Sequence, residues 1–316
     1  MKYIKLFNTH TEYQAFTQTN DFIKPNVSYC IDNNDVHYNP WTWAEEYLTF
    51  VALGNGTFTF TPKNNNVISY SIDNGKNWTE GNSVEVANGD KVIWKGTMTP
   101  VSNGGIGGFS STGNFEVKGN VMSLLFGDDF KGKTDLTGKN YAFSQLFYYA
   151  GIYLVSAKDL SLPATILAYG CYISMFNGCT SLTTAPELPA TTLASYCYSN
   201  MFYGCTSLTT APELPATTLA TYCYNGMFRG CTNLTSAPEL PATTLASNCY
   251  YYMFNGCTNL NYIKAMFTTT PSTSYTSNWV NGVSSTGTFV KNSAATWDVT
   301  GEYGIPTGWT VETASA

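Results

Sequence analysis

A unit of 26 residues runs nearly four times between Pro163 and Leu260, and this periodicity limits the fold more than any other property of the chain. The pairs Met175-Phe176, Met201-Phe202, Met227-Phe228 and Met253-Phe254 keep the step. So do Cys171, Cys197, Cys223 and Cys249, and likewise Cys179, Cys205, Cys231 and Cys257. Pro163, Pro189, Pro215 and Pro241 open the units. A repeat of this length marks stacked supersecondary units. One unit has few apolar side chains to bury: in the second, Leu193, Ala194, Cys197, Met201, Phe202, Cys205 and Leu208. The larger ones contribute roughly 1.5–3 kcal/mol each, whereas ordering a backbone costs about 1–2 kcal/mol per residue. A lone unit therefore does not fold, and a row that shares one continuous core does.

Within a unit, Leu182 to Leu188 reads as a short extended segment interrupted by Pro186, which suits an edge or a strand end. After Pro189 the apolar residues fall at 193, 194, 197, 198, 201 and 202, the i, i+4, i+8 stripe of a helix. Thr191 or Thr192 stands where an N-cap belongs and Gly204 where a C-cap belongs. The expectation is one short strand, a turn and a short helix per unit, closed by Gly-Cys-Thr-Ser-Leu.

The string Met-Phe-x-Gly-Cys-Thr-Ser-Leu followed by Pro-x-Leu-Pro resembles the BspA-like leucine-rich repeats, common in surface and phage-borne proteins of gut Bacteroidota. The resemblance is tight over about a third of the chain and looser over a degenerate unit from Leu146-Phe147 to Leu162. It implies a recognition scaffold and does not specify a partner. A second string, Pro25-Asn26-Val27-Ser28-Tyr29-Cys30 with Val36, Tyr38, Asn39 and Pro40, is similar to the leading segment of virion structural proteins of Bacteroidota phages and prophages. That resemblance implies a segment anchoring the chain to a particle.

Composition removes several classes of function. Only 11% of the 316 residues are charged, the net charge is −6, and Arg229 is the only arginine. Nucleic-acid binding needs basic patches that this chain lacks. No apolar run approaches the ~20 residues of a membrane span. The first residues lack the apolar stretch of roughly 7–15 residues found in a secretory signal. The expectation is either a signal removed before Met1 or release by lysis. Stacked coils bring equivalent cysteines near bonding distance, but a ladder of small, buried, reduced thiols is the simpler reading. Zinc is not expected, since there is no Cys-x-x-Cys pair and only His10 and His37 are present.

Along the chain, residues 1–44 read as a leading attachment module, with a strand over Lys2 to Phe7 and a short helix over Thr11 to Thr17. Residues 45–121 show short alternating runs separated by Gly54-Asn55-Gly56, Asp73-Asn74-Gly75 and Asn88-Gly89-Asp90, the pattern of a small sandwich or barrel. Ser71-Ile72-Asp73-Asn74-Gly75-Lys76-Asn77-Trp78 resembles an Asp-box hairpin with Asn77 in the Thr place. Sialidases carry such boxes, but they also need an arginine triad and repeat the box, so a structural hairpin is expected. Gly104-Gly105-Ile106-Gly107-Gly108 lacks the lysine of a phosphate loop and reads as a flexible loop. Residues 122–267 form the repeat region, with Val121 to Phe130 as a connecting strand and N-terminal cap. Residues 268–316 form a C-terminal cap whose aromatics cover the last coil.

No catalytic set is visible: neither a Gly-x-Ser-x-Gly elbow nor a His-Glu-x-x-His is present. Glu187, Glu213 and Glu239 recur once per unit and read as a solvated edge rather than a hydrolase pair. Asp128-Asp129 reads as a solvated turn rather than a cation site. More informative are the positions that change while the core letters stay fixed. Tyr169, Tyr196, Tyr222 and Asn248 fall in one set, Asn200, Asn225, Tyr251 and Tyr252 in a second, and Tyr203, Arg229 and Asn255 in a third. All lie off the apolar stripe and so share one outer face. Tyr and Asn there supply flat amphipathic contact at low entropy cost; drift at exposed positions is the alternative.

The fold class expected is mixed but mainly β: N-terminal β modules, then a leucine-rich-repeat solenoid of strand plus short helix, then a cap. The function expected is non-enzymatic recognition without metal or cofactor, as a phage virion fibre or receptor-binding component facing a host glycan or protein. Residues 1–44 would contact other virion proteins, and a homo-oligomer is compatible with a fibre. Nucleic acid and membrane insertion are not expected. The alternative is a bacterial cell-surface adhesin.

Overall fold

The computed structural model describes residues 46–102 and 104–314, so the expectations for residues 1–44 lie outside the described residues. The chain is mainly β, with several sheets and few helices. Its first strands are β1 (Leu48–Ala52), β2 (Gly56–Pro62), β3 (Ile68–Ser71), β4 (Thr79–Glu80), β5 (Ser83–Val86), β6 (Lys91–Gly96), β7 (Gly107–Ser111) and β8 (Phe115–Asn120). Together with β9 (Leu154–Ser161) they form an open six-stranded sheet in the order β4-β3-β6-β1-β8-β9 and a three-stranded sheet β5-β2-β7. Alternation decides which face is buried: in β6, Val92 and Trp94 are fully buried and Lys91 is exposed. Phe50 lies 5.3 Å from Phe58 and 4.7 Å from Phe109, and Phe115 lies 5.2 Å from Phe58, so the two sheets meet face to face across packed rings.

The structure departs from two local expectations. The glycine-rich segment is not a loose loop, because Gly107 and Gly108 begin β7. Gly105 is buried, with a φ of +61° and no room for a Cβ beneath the carbonyls of Tyr141 and Ser144. The segment after β8 is not a strand. It turns at once into α1 (Ser123–Phe126) and a 3-10 turn over Gly127–Phe130, which bury Leu124, Leu125 and Phe130.

The repeats lie side by side, and their backbone hydrogen bonds contradict the expected helix. The N–H groups of Cys171, Ile173, Met175, Asn177 and Cys179 each donate to the carbonyl three residues back. Those of Gly170, Tyr172, Ser174, Phe176 and Gly178 donate instead to Ser195, Cys197, Ser199, Met201 and Tyr203 of the next coil. The two sets interleave, so the segment is a chain of consecutive turns with a ladder running across it. Every fourth residue has positive φ: Gly170, Ser174 and Gly178, then Tyr196, Asn200 and Gly204, then Tyr222, Gly226 and Gly230. That is the third position of alternate turns, where Gly and Asn are favoured. The apolar pairs also recur at a strict period of four (197/198, 201/202), whereas an α-helix would slip by roughly 40° per turn. The expected strand is reduced too, to isolated parallel bridges such as Ser156–Thr184–Thr210 and Ile166–Thr192–Thr218.

Identical side chains stack inside. Phe176, Phe202, Phe228 and Phe254 are spaced 5.4, 5.7 and 5.9 Å apart with planes within 4°. Tyr172, Tyr198, Tyr224 and Tyr250 form a second buried stack at 5.6, 5.9 and 6.1 Å. The eight repeat cysteines are free and buried. The coil geometry outlasts the repeated letters: Phe254 N–H donates to Trp279, Gly256 N–H to Asn281, and Gly282 continues the glycine row with a φ of +77°. Trp279 is buried against Tyr250 and Phe254. The segment after Thr268 carries α2 (Thr273–Thr276), capped by Ser272. The chain finishes with β10 (Tyr262–Ala265), β11 (Thr288–Lys291) and β12 (Thr310–Thr313) in a parallel sheet.

Candidate functional site

The turn chain fixes which side chains point outward. In the second unit Cys197, Tyr198, Met201, Phe202 and Cys205 are buried, which leaves the pairs 195/196, 199/200 and 203/204 on the outer side, apart from the buried Ser199. Coil-to-coil hydrogen bonds align the same pairs in every unit, so the outer surface has three parallel rows.

Aromatic rings form a connected rim on these rows. In the first row Tyr169 lies 5.3 Å from Tyr196, and Tyr196 stacks on Tyr222 at 4.6 Å with planes 12° apart. The rim crosses to the second row through Tyr251, 6.5 Å from Tyr222 and 4.4 Å from Tyr252. It then turns back along the third row, where the Arg229 guanidinium lies 4.6 Å from the Tyr252 ring and 5.4 Å from that of Tyr203. Inside this hook the second row carries the half-buried Ile173 beside Ser174, then Ser199, Asn200, Asn225 and Gly226, of which Ser199 and Gly226 are buried. The result is a shallow trough with an aromatic rim and an amide floor. Asn200 donates its Nδ2–H to Ser199 Oγ at 3.3 Å. Gly226 has a φ of +57°, and a Cβ there would collide with Asn200 Oδ1.

Of the residues singled out from sequence, Tyr169, Tyr196, Tyr222, Tyr251, Tyr252, Arg229 and Tyr203 are thus joined by contacts. Asn200 and Asn225 belong to the floor. Asn248 and Asn255 lie at the margin, where they bond Ser247 Oγ and the Asn278 carbonyl. Tyr141 was missed: its ring is 5.4 Å from Tyr169 and extends the first row by one coil. The signal was present, because Tyr141 precedes Leu146-Phe147 by the same interval as Tyr196 precedes Met201-Phe202.

The backbone under this rim is unusual. Tyr141, Tyr196, Tyr222 and Tyr252 have φ of +61°, +59°, +55° and +55°. Bulky side chains rarely occupy this region, and the left-handed conformation costs roughly 1–2 kcal/mol per residue. Gly170, Asn200, Gly226 and Asn248 occupy positive-φ positions in the same two rows without that conflict. Partial burial and neighbouring phenols push the hydroxyl pKa values of Tyr141, Tyr196 and Tyr251 upward. Among the described residues, no carboxylate lies within ion-pair distance of Arg229.

The other candidates have structural roles in view. Asp73 accepts from Ser71 Oγ, Asn77 N–H and Asn77 Nδ2, which lowers its pKa to about 2 and ties the hairpin between β3 and β4. Asp128 accepts from Lys95 and from the Tyr47 hydroxyl. Glu187, Glu213 and Glu239 are exposed, and Glu239 pairs with Lys264 at 3.0 Å. Among the described residues no cluster of His, Cys, Asp and Glu is arranged to hold a metal, and no helix is long and apolar enough to cross a membrane. No protein-family model, curated protein or solved structure matches the chain.

Proposed function

We propose that this is a non-enzymatic recognition protein whose coils form a leucine-rich-repeat-type solenoid, and that the tyrosine-rimmed trough is its binding surface. One observation carries the reading: large aromatic side chains are held outward at positive φ where Gly or Asn fits the turn without strain. Strain of this kind clusters at sites kept for their side chains. The leading string between Pro25 and Pro40 and its virion resemblance support a phage fibre or receptor-binding component. In that setting residues 1–44 attach to other virion proteins and the repeats face the host surface. A bacterial surface adhesin using the same trough is the second reading, supported by the BspA-like character of the repeat.

Immunogold microscopy of an infected or induced culture, with antibody against residues 241–316, separates the two. Gold on virions is expected, and its place on tail or capsid distinguishes receptor binding from decoration. Gold on intact cells beside bare virions overturns the virion reading in favour of the adhesin.

A further inference from the structure

Arg229 stands apart on this surface. It is the only arginine in a chain of net charge −6, and at the equivalent outer position the other units carry Asn177, Tyr203 and Asn255. Its guanidinium is flanked by the rings of Tyr203 and Tyr252, and no carboxylate of the described residues neutralises it. Its φ is not positive, so the turn makes no special demand there. Cation–π contact with two rings pre-orients the planar fork and leaves edge N–H donors for a ligand. The acceptor that matches such a fork is a planar pair of anionic oxygens.

Resting on the trough as the binding surface, we infer that its ligand is an acidic glycan, with a carboxylate- or sulfate-bearing sugar seated against Arg229. The surrounding chemistry fits sugar. Tyrosine rings offer C–H stacking area to pyranose faces, and Asn200 and Asn225 offer amide donors and acceptors to ring hydroxyls. Net negative charge elsewhere on the chain disfavours indiscriminate polyanion binding, so the preference is local to Arg229.

The test is an array of immobilised polysaccharides with neutral, uronate-bearing, sialylated and sulfated members, probed with the full chain and with R229Q, R229K and the double variant Y196N/Y222N. Each captured glycan is then titrated in solution beside its carboxyl-reduced or desulfated form, with hexaglutamate as a peptide control. Capture of acidic members is expected. Removing the acid group should weaken binding by about tenfold or more, R229Q should cause the same loss for the acidic form only, and R229K should recover it in part. Which treatment abolishes binding assigns carboxylate or sulfate. Capture of neutral glycans with equal affinity, lost in Y196N/Y222N, overturns the acidic preference and leaves the trough as the binding surface. An acidic preference that survives R229Q overturns the role of Arg229. Binding of hexaglutamate with the same Arg229 dependence reassigns the ligand to acidic peptide. No capture of any glycan overturns the inference outright.

Discussion

Cys179, Cys205, Cys231 and Cys257 donate their thiol hydrogens to the carbonyls of Phe147, Phe176, Phe202 and Phe228, at 3.3, 3.1, 3.1 and 2.9 Å. An aliphatic residue of the same size would fill the space without that bond. Burial also holds the thiols protonated: the pKa values of Cys171, Cys179, Cys249 and Cys257 rise from an ordinary 9.0 to about 12, and those of Cys197, Cys205, Cys223 and Cys231 rise as well. Between these limits the folded chain binds more protons than the unfolded one, so stability is full below the unfolded value and falls as pH rises through it. Each thiol contributes about 1.4 kcal/mol per pH unit in that window. With eight such thiols, the thermal midpoint should be flat up to about pH 8 and collapse above about pH 10; a midpoint unchanged at pH 11 would contradict this burial. The hydroxyl of Tyr172 is buried and has no hydrogen-bond partner among the described residues. Tyr172→Phe should therefore stabilise the chain by about 1–2 kcal/mol in urea unfolding, whereas a loss would mean that the hydroxyl is satisfied.

At the scale of the repeat unit, the core was legible in the sequence and the backbone was not. Met, Phe and Cys at fixed positions announced the stacks that the structure contains. The helix was misread because i, i+4, i+8 spacing serves a helix and a turn chain alike. The deciding signal was the run of Gly and Asn every fourth residue, such as Asn200, Gly204, Gly226 and Gly230, whose positive φ an α-helix excludes. The same blind spot affected the candidate face: positions 196, 200, 222, 248 and 252 vary within a backbone demand as well as on a surface. Asn and Gly there satisfy the turn, whereas Tyr196, Tyr222 and Tyr252 oppose it, and the proposed binding role rests on them. Gly204 tests the demand. Its φ is +72° and a Cβ would meet nothing closer than Gly178 Cα at 3.9 Å, so a substitution carries a conformational cost alone. Gly204→Ala should cost about 1–2 kcal/mol, and Gly204→Asn distinctly less. Equal stability of all three would contradict the turn geometry. Circular dichroism should likewise lack the helical double minimum.

Across the whole molecule, the two-sheet region and the coils are continuous. β8 pairs in parallel with β9, and Phe147 of the first coil lies 6.0 Å from both Phe50 and Phe109. Neither strand alternation nor repeat letters revealed this seam, because it joins residues distant in sequence through one ladder and one ring. Calorimetry should show a single cooperative transition, and a fragment beginning at residue 122 should not fold alone; two separated transitions would contradict a shared core. The continuity gives the coils a rigid base, on which the trough faces outward. The measurement closest to that claim is adsorption of the labelled chain to intact cells of the culture that yields it, comparing wild type with Y196N/Y222N. Asn suits both positive-φ sites, so the variant should unfold at the same temperature or higher. The expected result is loss of adsorption with the fold intact. Undiminished adsorption by a folded double variant would place recognition elsewhere on the chain.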